Sequence, residues 1–229
     1  NDVGLYPIVV FGGSDTNYSF SYVTGQLNVT SAPLTAKADD AVRVYGATNS
    51  PFTISYTGFV NNEDAGVLDQ PPVATTTATP ASPVGGYPIS LSAATDNNYT
   101  VTVQSGTLTV TQAILVVSAN PTNRLYGRAD PSFTGTIAGL QNNDAITTAF
   151  STTATATSPV GGYPITPALA DPDGKLVNYL VSTNAGILTI NKAPLTAKAD
   201  NKTKLLGQAV PPLTISYTGF ANDENASVI

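Results

Sequence analysis

Gly106–Ala119 reads GTLTVTQAILVVSA, and the same stretch returns as Gly25–Ala38, GQLNVTSAPLTAKA, and as Gly186–Ala199, GILTINKAPLTAKA. The leading glycines stand at 25, 106 and 186, so the spacing is 81 and then 80 residues. Self-similarity at such a period denotes an array of small units, each burying its apolar face with its neighbours' help. Leu108 and Val110 alternate with Thr107, Thr109 and Thr111, the period of a half-buried strand. A second apolar run follows with no Gly/Ser linker between, so the stretch reads as the joint between two repeats. The three copies divide at Ala32-Pro33, Ala113-Ile114 and Ala193-Pro194. Proline fixes φ and removes a donor, so strand pairing is expected to change partners there. The joint is read as a short, stiff hinge that sets the angle between domains.

Outward from the joint, the chain divides into the C-terminal part of a repeat (1–31), two complete repeats (32–112 and 113–192) and the N-terminal part of another (193–229). It also reads as a piece of a longer protein whose targeting signal lies elsewhere. Phe52, Ile54 and Tyr56 alternate on one face of a strand, and Tyr18, Phe20 and Tyr22 alternate with Ser19 and Ser21 as a half-buried strand with one apolar face. Asn61 with Asp64 three residues on resembles a helix N-cap, and Pro71-Pro72 limit that helix to about two turns. The expected fold is mostly β: tandem small domains of about 80 residues, β-grasp-like in the order ββαβββ with one short helix each. An immunoglobulin-like sandwich is the alternative, since about seven short strands would also fit. The middle repeat loses residues between Leu140 and Tyr163 and gains them around Asp171-Pro-Asp-Gly174, which places both segments in exposed loops.

Composition excludes several function classes. The net charge of −6 and scattered cations argue against a nucleic-acid surface. No apolar run approaches the roughly 18 residues of a membrane span. With no Cys and no His there is no thiolate nucleophile, no disulfide and no usual general base. Nothing in the chain therefore points to an enzyme.

The candidate sites are few. Asp171 and Asp173 form the one compact acidic loop and are the weak candidates for a metal, calcium being the ion that suits carboxylates. Calcium takes about six to eight oxygens, and the ligands to complete the set are missing, so a Pro/Gly turn is the plainer reading and no cofactor is expected. Asp39-Asp40, Asn120 and Asp200 follow the joints, but the middle copy lacks a carboxylate. Glu63, Asp144 and Glu224 align and suit the first turn of a helix. Lys37 and Lys198 raise a Lys–Asn crosslink, which Ser118 at the equivalent position opposes. Tyr6, Tyr87 and Tyr163 precede proline and read as cover for the core edge rather than sugar binders.

Together, the LTxxAxD strand, the Tyr-Gly dipeptide at Tyr45 and Tyr126, SYTGF, TTTATxxSPVGxYPI and NYxVxxxxGxLTV resemble the MBG domain of the YGX type. Leu206-Gly207 departs from Tyr-Gly, which suggests that the tyrosine packs rather than reacts. The resemblance implies a repeat from a large bacterial surface or secreted adhesin-like protein, extracellular or at the cell surface, with no catalytic residues. The expected role is a semi-rigid stalk or spacer whose partners are the neighbouring repeats. The alternatives are an adhesive module gripping a host or matrix glycan or protein, and a fibre subunit joining other copies of itself by strand complementation.

Overall fold

A computed structural model of the chain describes residues 2–229. They divide into two compact units, Asn1–Gln112 and Ala113–Ile229. The first opens with β1 (Gly4–Ile8) and β2 (Gly25–Val29), which pair as an antiparallel ribbon. The complete repeat that follows has seven strands: β3 (Ala32–Ala38), β4 (Ala41–Val44), β5 (Ile54–Thr57), β6 (Ala74–Thr75), β7 (Gly85–Leu91), β8 (Tyr99–Gln104) and β9 (Gly106–Thr111). They form two sheets, in the orders β5-β3-β8 and β4-β9-β7-β6. Two of the pairings, β3 with β8 and β4 with β9, are parallel.

The second unit repeats this with β10 (Ala113–Ala119), β11 (Thr122–Leu125), β12 (Gly135–Ala138), β13 (Thr147–Thr152), β14 (Gly161–Ala170), β15 (Tyr179–Asn184) and β16 (Gly186–Asn191). Its sheets are β12-β10-β15 and β11-β16-β14-β13, again with parallel pairs β10/β15 and β11/β16. It ends with β17 (Thr196–Ala199) and β18 (Ile215–Thr218), an antiparallel pair. The residues gained in the middle repeat lengthen the β13–β14 hairpin and end in the 171–174 turn.

The cores follow from period-two alternation. Leu108 and Val110 are 1% exposed while the threonines between them face solvent. Strand β10 does the same with Ala113, Leu115 and Val117. In 113–192, Ala119 on one sheet packs with Ile165, Leu188 and Ile190 on the other, walled by Tyr126, Phe133, Phe150 and Tyr163. Each repeat is thus two small sheets face to face around a thin apolar layer.

Three features differ from expectation. Tyr18, Phe20 and Tyr22 do not form a half-buried strand: they lie exposed outside any strand, with no described strand running beside them. No α-helix occurs among the described residues, so the helix of a β-grasp order is absent from them; at its expected place 113–192 has no helical turn, 193–229 has a 3-10 turn at Ala226–Val228, and the first complete repeat has one at Ala65–Val67. Asn61 does not cap it. Asn61 and Asn62 have φ of 56° and 61°, and Glu63 N–H donates to the Val60 carbonyl at 3.0 Å, closing a type I′ turn. Asparagine tolerates this left-handed backbone, so the sequence suits both readings. The cap is Asp64, whose carboxylate accepts from Gly66 N–H at 2.8 Å. The layering is that of a sandwich, but the parallel pairs depart from the antiparallel immunoglobulin pattern.

Arg43 and Arg124 are buried and tie β4 and β11 to the segment after β6 and β13. Arg124 donates to Asp130 at 2.5 Å, to the Leu125 carbonyl at 3.3 Å and to the Thr155 carbonyl at 2.5 Å. Arg43 repeats the arrangement with Asn49, Val44 and Thr79, and Asn49 donates onward to the Ala78 carbonyl at 2.8 Å. A buried guanidinium is tolerated because its donors meet oxygens.

Candidate functional site

The joints are built from the residues at which the chain changes sheet. Strand β2 pairs only with β1, whereas β3, beginning at Ala32, pairs with β5 and β8. Strand β9 ends at Thr111 in one sheet, and β10 begins at Ala113 in another. In the second unit β16 ends at Asn191, and Ala193-Pro194 lie in the extended segment before β17. Ala113 is buried and Ile114 is exposed, while Pro33 and Pro194 face solvent. The carbonyl of the second joint residue meets a glycine in every copy. A Cβ on Gly58 would lie 2.4 Å from the Pro33 oxygen, one on Gly139 2.1 Å from that of Ile114, and one on Gly219 2.5 Å from that of Pro194. The glycine of SYTGF is therefore required by the joint strand passing over it.

At the joint within the first unit, Asn98 ties residues 2–31 to the repeat. Its side chain accepts from Val3 N–H at 2.9 Å and donates to Asp2 at 3.3 Å, while its carbonyl accepts from Ala32 N–H at 2.9 Å. Ser31 and Thr100 share a hydroxyl hydrogen bond of 2.7 Å.

The joint within the second unit is an interlock. The Tyr126 hydroxyl donates to Glu224 at 2.5 Å. Gly127 has φ of 75°, and a Cβ there would lie 2.2 Å from Cβ of Ala221, so the Tyr-Gly corner and the loop of the next repeat are in direct apposition. The Ala156 carbonyl accepts from Gly127 N–H at 3.3 Å and from the Asn222 side chain at 3.4 Å. One oxygen thus serves both repeats. The cleft between them, about 350 Å³, is lined by Tyr126, Gly127, Ala193, Pro194, Phe220 and Ala221 among others.

The acids do local work in the folded chain. Glu63 accepts from the Tyr99 hydroxyl at 2.5 Å and Asp144 from that of Tyr179 at 2.6 Å, so these acids bond tyrosines and not a helix end. Burial, then the bond to Glu63, pushes the Tyr99 phenol above its usual range. Asp39 accepts from Ser55 at 2.6 Å, and its hydrogen bonds to Ser55 and Thr53 hold its carboxyl below the usual range. Asp200 is held down in the same way by Ser216 and Thr214. Asn120 donates to Thr134 at 3.0 Å. Both oxygens of Asp171 accept backbone N–H groups, from Lys175 and Leu176 at 2.8 Å each, while Asp173 sits exposed beside Gly174. Among the described residues no three or more acids converge to hold a metal ion. Tyr6, Tyr87 and Tyr163 each donate to the carbonyl four residues back, at 2.8, 2.8 and 2.9 Å, closing the turn before their strand.

Sequence reasoning missed the buried arginines, the Tyr–acid pairs and the contact of Tyr-Gly with the following repeat. The signal for the last was present, since Tyr-Gly and the aligned acid recur at one period. No described helix is long and apolar enough to cross a membrane. No curated protein matches the chain. The family model described as MBG domain (YGX type) matches residues 34–109, 115–189 and 195–229. The chain belongs to the MBG domain (YGX type) family, as a tandem-repeat segment of it.

Proposed function

We propose that this chain is a semi-rigid spacer segment of a bacterial extracellular or surface protein, carrying a distal part of that protein away from its anchor. The observation that carries the reading is the interlock of Tyr126-Gly127 with Ala221–Glu224, which packs one repeat onto the next where a flexible tether would leave a gap. The family's association with surface proteins supports the location. Small-angle scattering of the chain tests it: one conformer fitting the whole profile supports a spacer, and a broad ensemble of independently moving repeats contradicts it.

A further inference from the structure

Glu63, Asp144 and Glu224 occupy one place in the repeat, directly after a left-handed pair: Asn61-Asn62, Asn142-Asn143 and Asn222-Asp223. Inside the two complete repeats this acid accepts the hydroxyl of Tyr99 or Tyr179. Each of those tyrosines opens the strand laid parallel along the repeat's first strand, with Tyr99 opposite Ala32 and Tyr179 opposite Ala113. There the acid fastens a strand that returns from far along the chain. Glu224 has a different donor, Tyr126 of the preceding repeat. A carboxylate offers two oxygens and about four lone-pair sites, and each hydroxyl seen here takes one oxygen.

We propose that Glu224 is a shared acceptor. One oxygen fastens the Tyr-Gly corner of the preceding repeat, and the other is the place for the tyrosine of an Asn-Tyr strand laid along β17, as Glu63 and Asp144 hold Tyr99 and Tyr179 in their repeats. Closing a repeat and docking it on its neighbour then reinforce each other. A carboxylate held by one hydroxyl is already oriented for the second, and the coupling is reciprocal by thermodynamic linkage. Gly127 sets the approach, since a Cβ there would lie 2.2 Å from Cβ of Ala221, beside the acid's loop. The acid is a positioning residue whose effect is to transmit stability along the array. This inference rests on the spacer reading and adds to it a means of communication between repeats.

Residues 193–229 provide the test, because β17 has no parallel strand and Leu195 is 42% exposed. A synthetic peptide with the sequence of Asp96–Ser105, DNNYTVTVQS, is titrated into the full chain and followed by calorimetry and by amide shifts in 193–229. The expected result is saturable binding along β17. Replacing the peptide's tyrosine by phenylalanine weakens it about tenfold, the scale of one hydrogen bond to a charged acceptor. Tyr126→Phe, a change in the preceding repeat and outside β17, weakens binding several-fold through the shared acid, and Glu224→Gln lowers it for both reasons. Absent binding, equal binding of the two peptides, or unchanged affinity with Tyr126→Phe overturns the proposal. Any of these alongside a single-conformer scattering profile leaves the spacer reading standing.

Discussion

Residues 32–39 and 193–200 have the same sequence, APLTAKAD, yet they are differently placed. In the complete repeat the strand runs from Ala32 to Ala38, Leu34 is 1% exposed and Ala36 and Ala38 are fully buried. In the second unit the strand shortens to Thr196–Ala199, all of its residues are exposed, and Leu195 is 42% exposed. The local turn is unaffected: Asp39 and Asp200 both bind the facing strand's serine, and Tyr56–Phe59 and Tyr217–Phe220 pack as tilted ring pairs with centroids 5.5 and 6.0 Å apart. The difference is the parallel strand β8, present against β3 and absent against β17. Hydrophobic alternation permits a core position, and only a partner from about 65 residues away makes it one, at the loop-closure cost that such distance entails.

The largest effect expected from this contrast is on leucine. Leu34→Ala should destabilise the first unit by about 2–5 kcal/mol in urea unfolding, as for other enclosed leucines, and Leu195→Ala by under about 1 kcal/mol. Equal losses would show that the local hairpin, not the parallel strand, makes the core.

The arginines sharpen the contrast next. Arg124→Ala removes a buried ion pair and two carbonyl contacts, so a loss of about 2–3 kcal/mol is expected in thermal unfolding. Lys204 stands at the equivalent place, exposed, and Lys204→Ala should change stability by no more than about 0.5 kcal/mol.

Glycine gives a smaller and more local separation. Gly127→Ala places a methyl on Ala221 and should cost about 1–3 kcal/mol, read as faster amide exchange in 193–229. Gly207 has φ of 87° with nothing within 4 Å, so Gly207→Ala costs only the backbone strain of about 1–2 kcal/mol and leaves the joint as it was.

The smallest effects are on pH dependence. Asp39 and Asp200 have carboxyls held below their unfolded value, so the stability they contribute is present above about pH 4 and is lost as pH falls through the folded value. Both repeats should show it, and Asp39→Asn should remove only the first unit's share in acid unfolding. Tyr99 behaves in the opposite sense. Its raised phenol contributes stability below about pH 10 that is lost as pH rises, visible as a late step in tyrosine ionisation absorbance that Tyr99→Phe diminishes, leaving the share of Tyr56, which burial also raises.

Much of this architecture could be read from residues in order. The recurrence of Gly25, Gly106 and Gly186 marks the array, and the alternation around Leu108 and Val110 marks the buried face, because side-chain period is a local property of strands. The parallel pairing was not legible, since nothing in Tyr99–Gln104 or Ala32–Ala38 states strand direction. Asn61 misled because a short polar side chain suits both an N-cap and a left-handed turn. Arg43 and Arg124 in Thr- and Val-rich strands look like solvated cations until Thr79 and Thr155 are brought round to them. Leu206 in place of the tyrosine rightly pointed to packing, but it concealed the hydroxyl's bond to the next repeat's acid.

The account turns on whether the Tyr-Gly corner holds the following repeat in a fixed orientation. Residual dipolar couplings measured separately for 113–192 and 193–229 test this most directly. A single alignment tensor for both, splitting into two with Gly127→Ala or Tyr126→Phe, is the predicted result. Two independent tensors in the unaltered chain would contradict it.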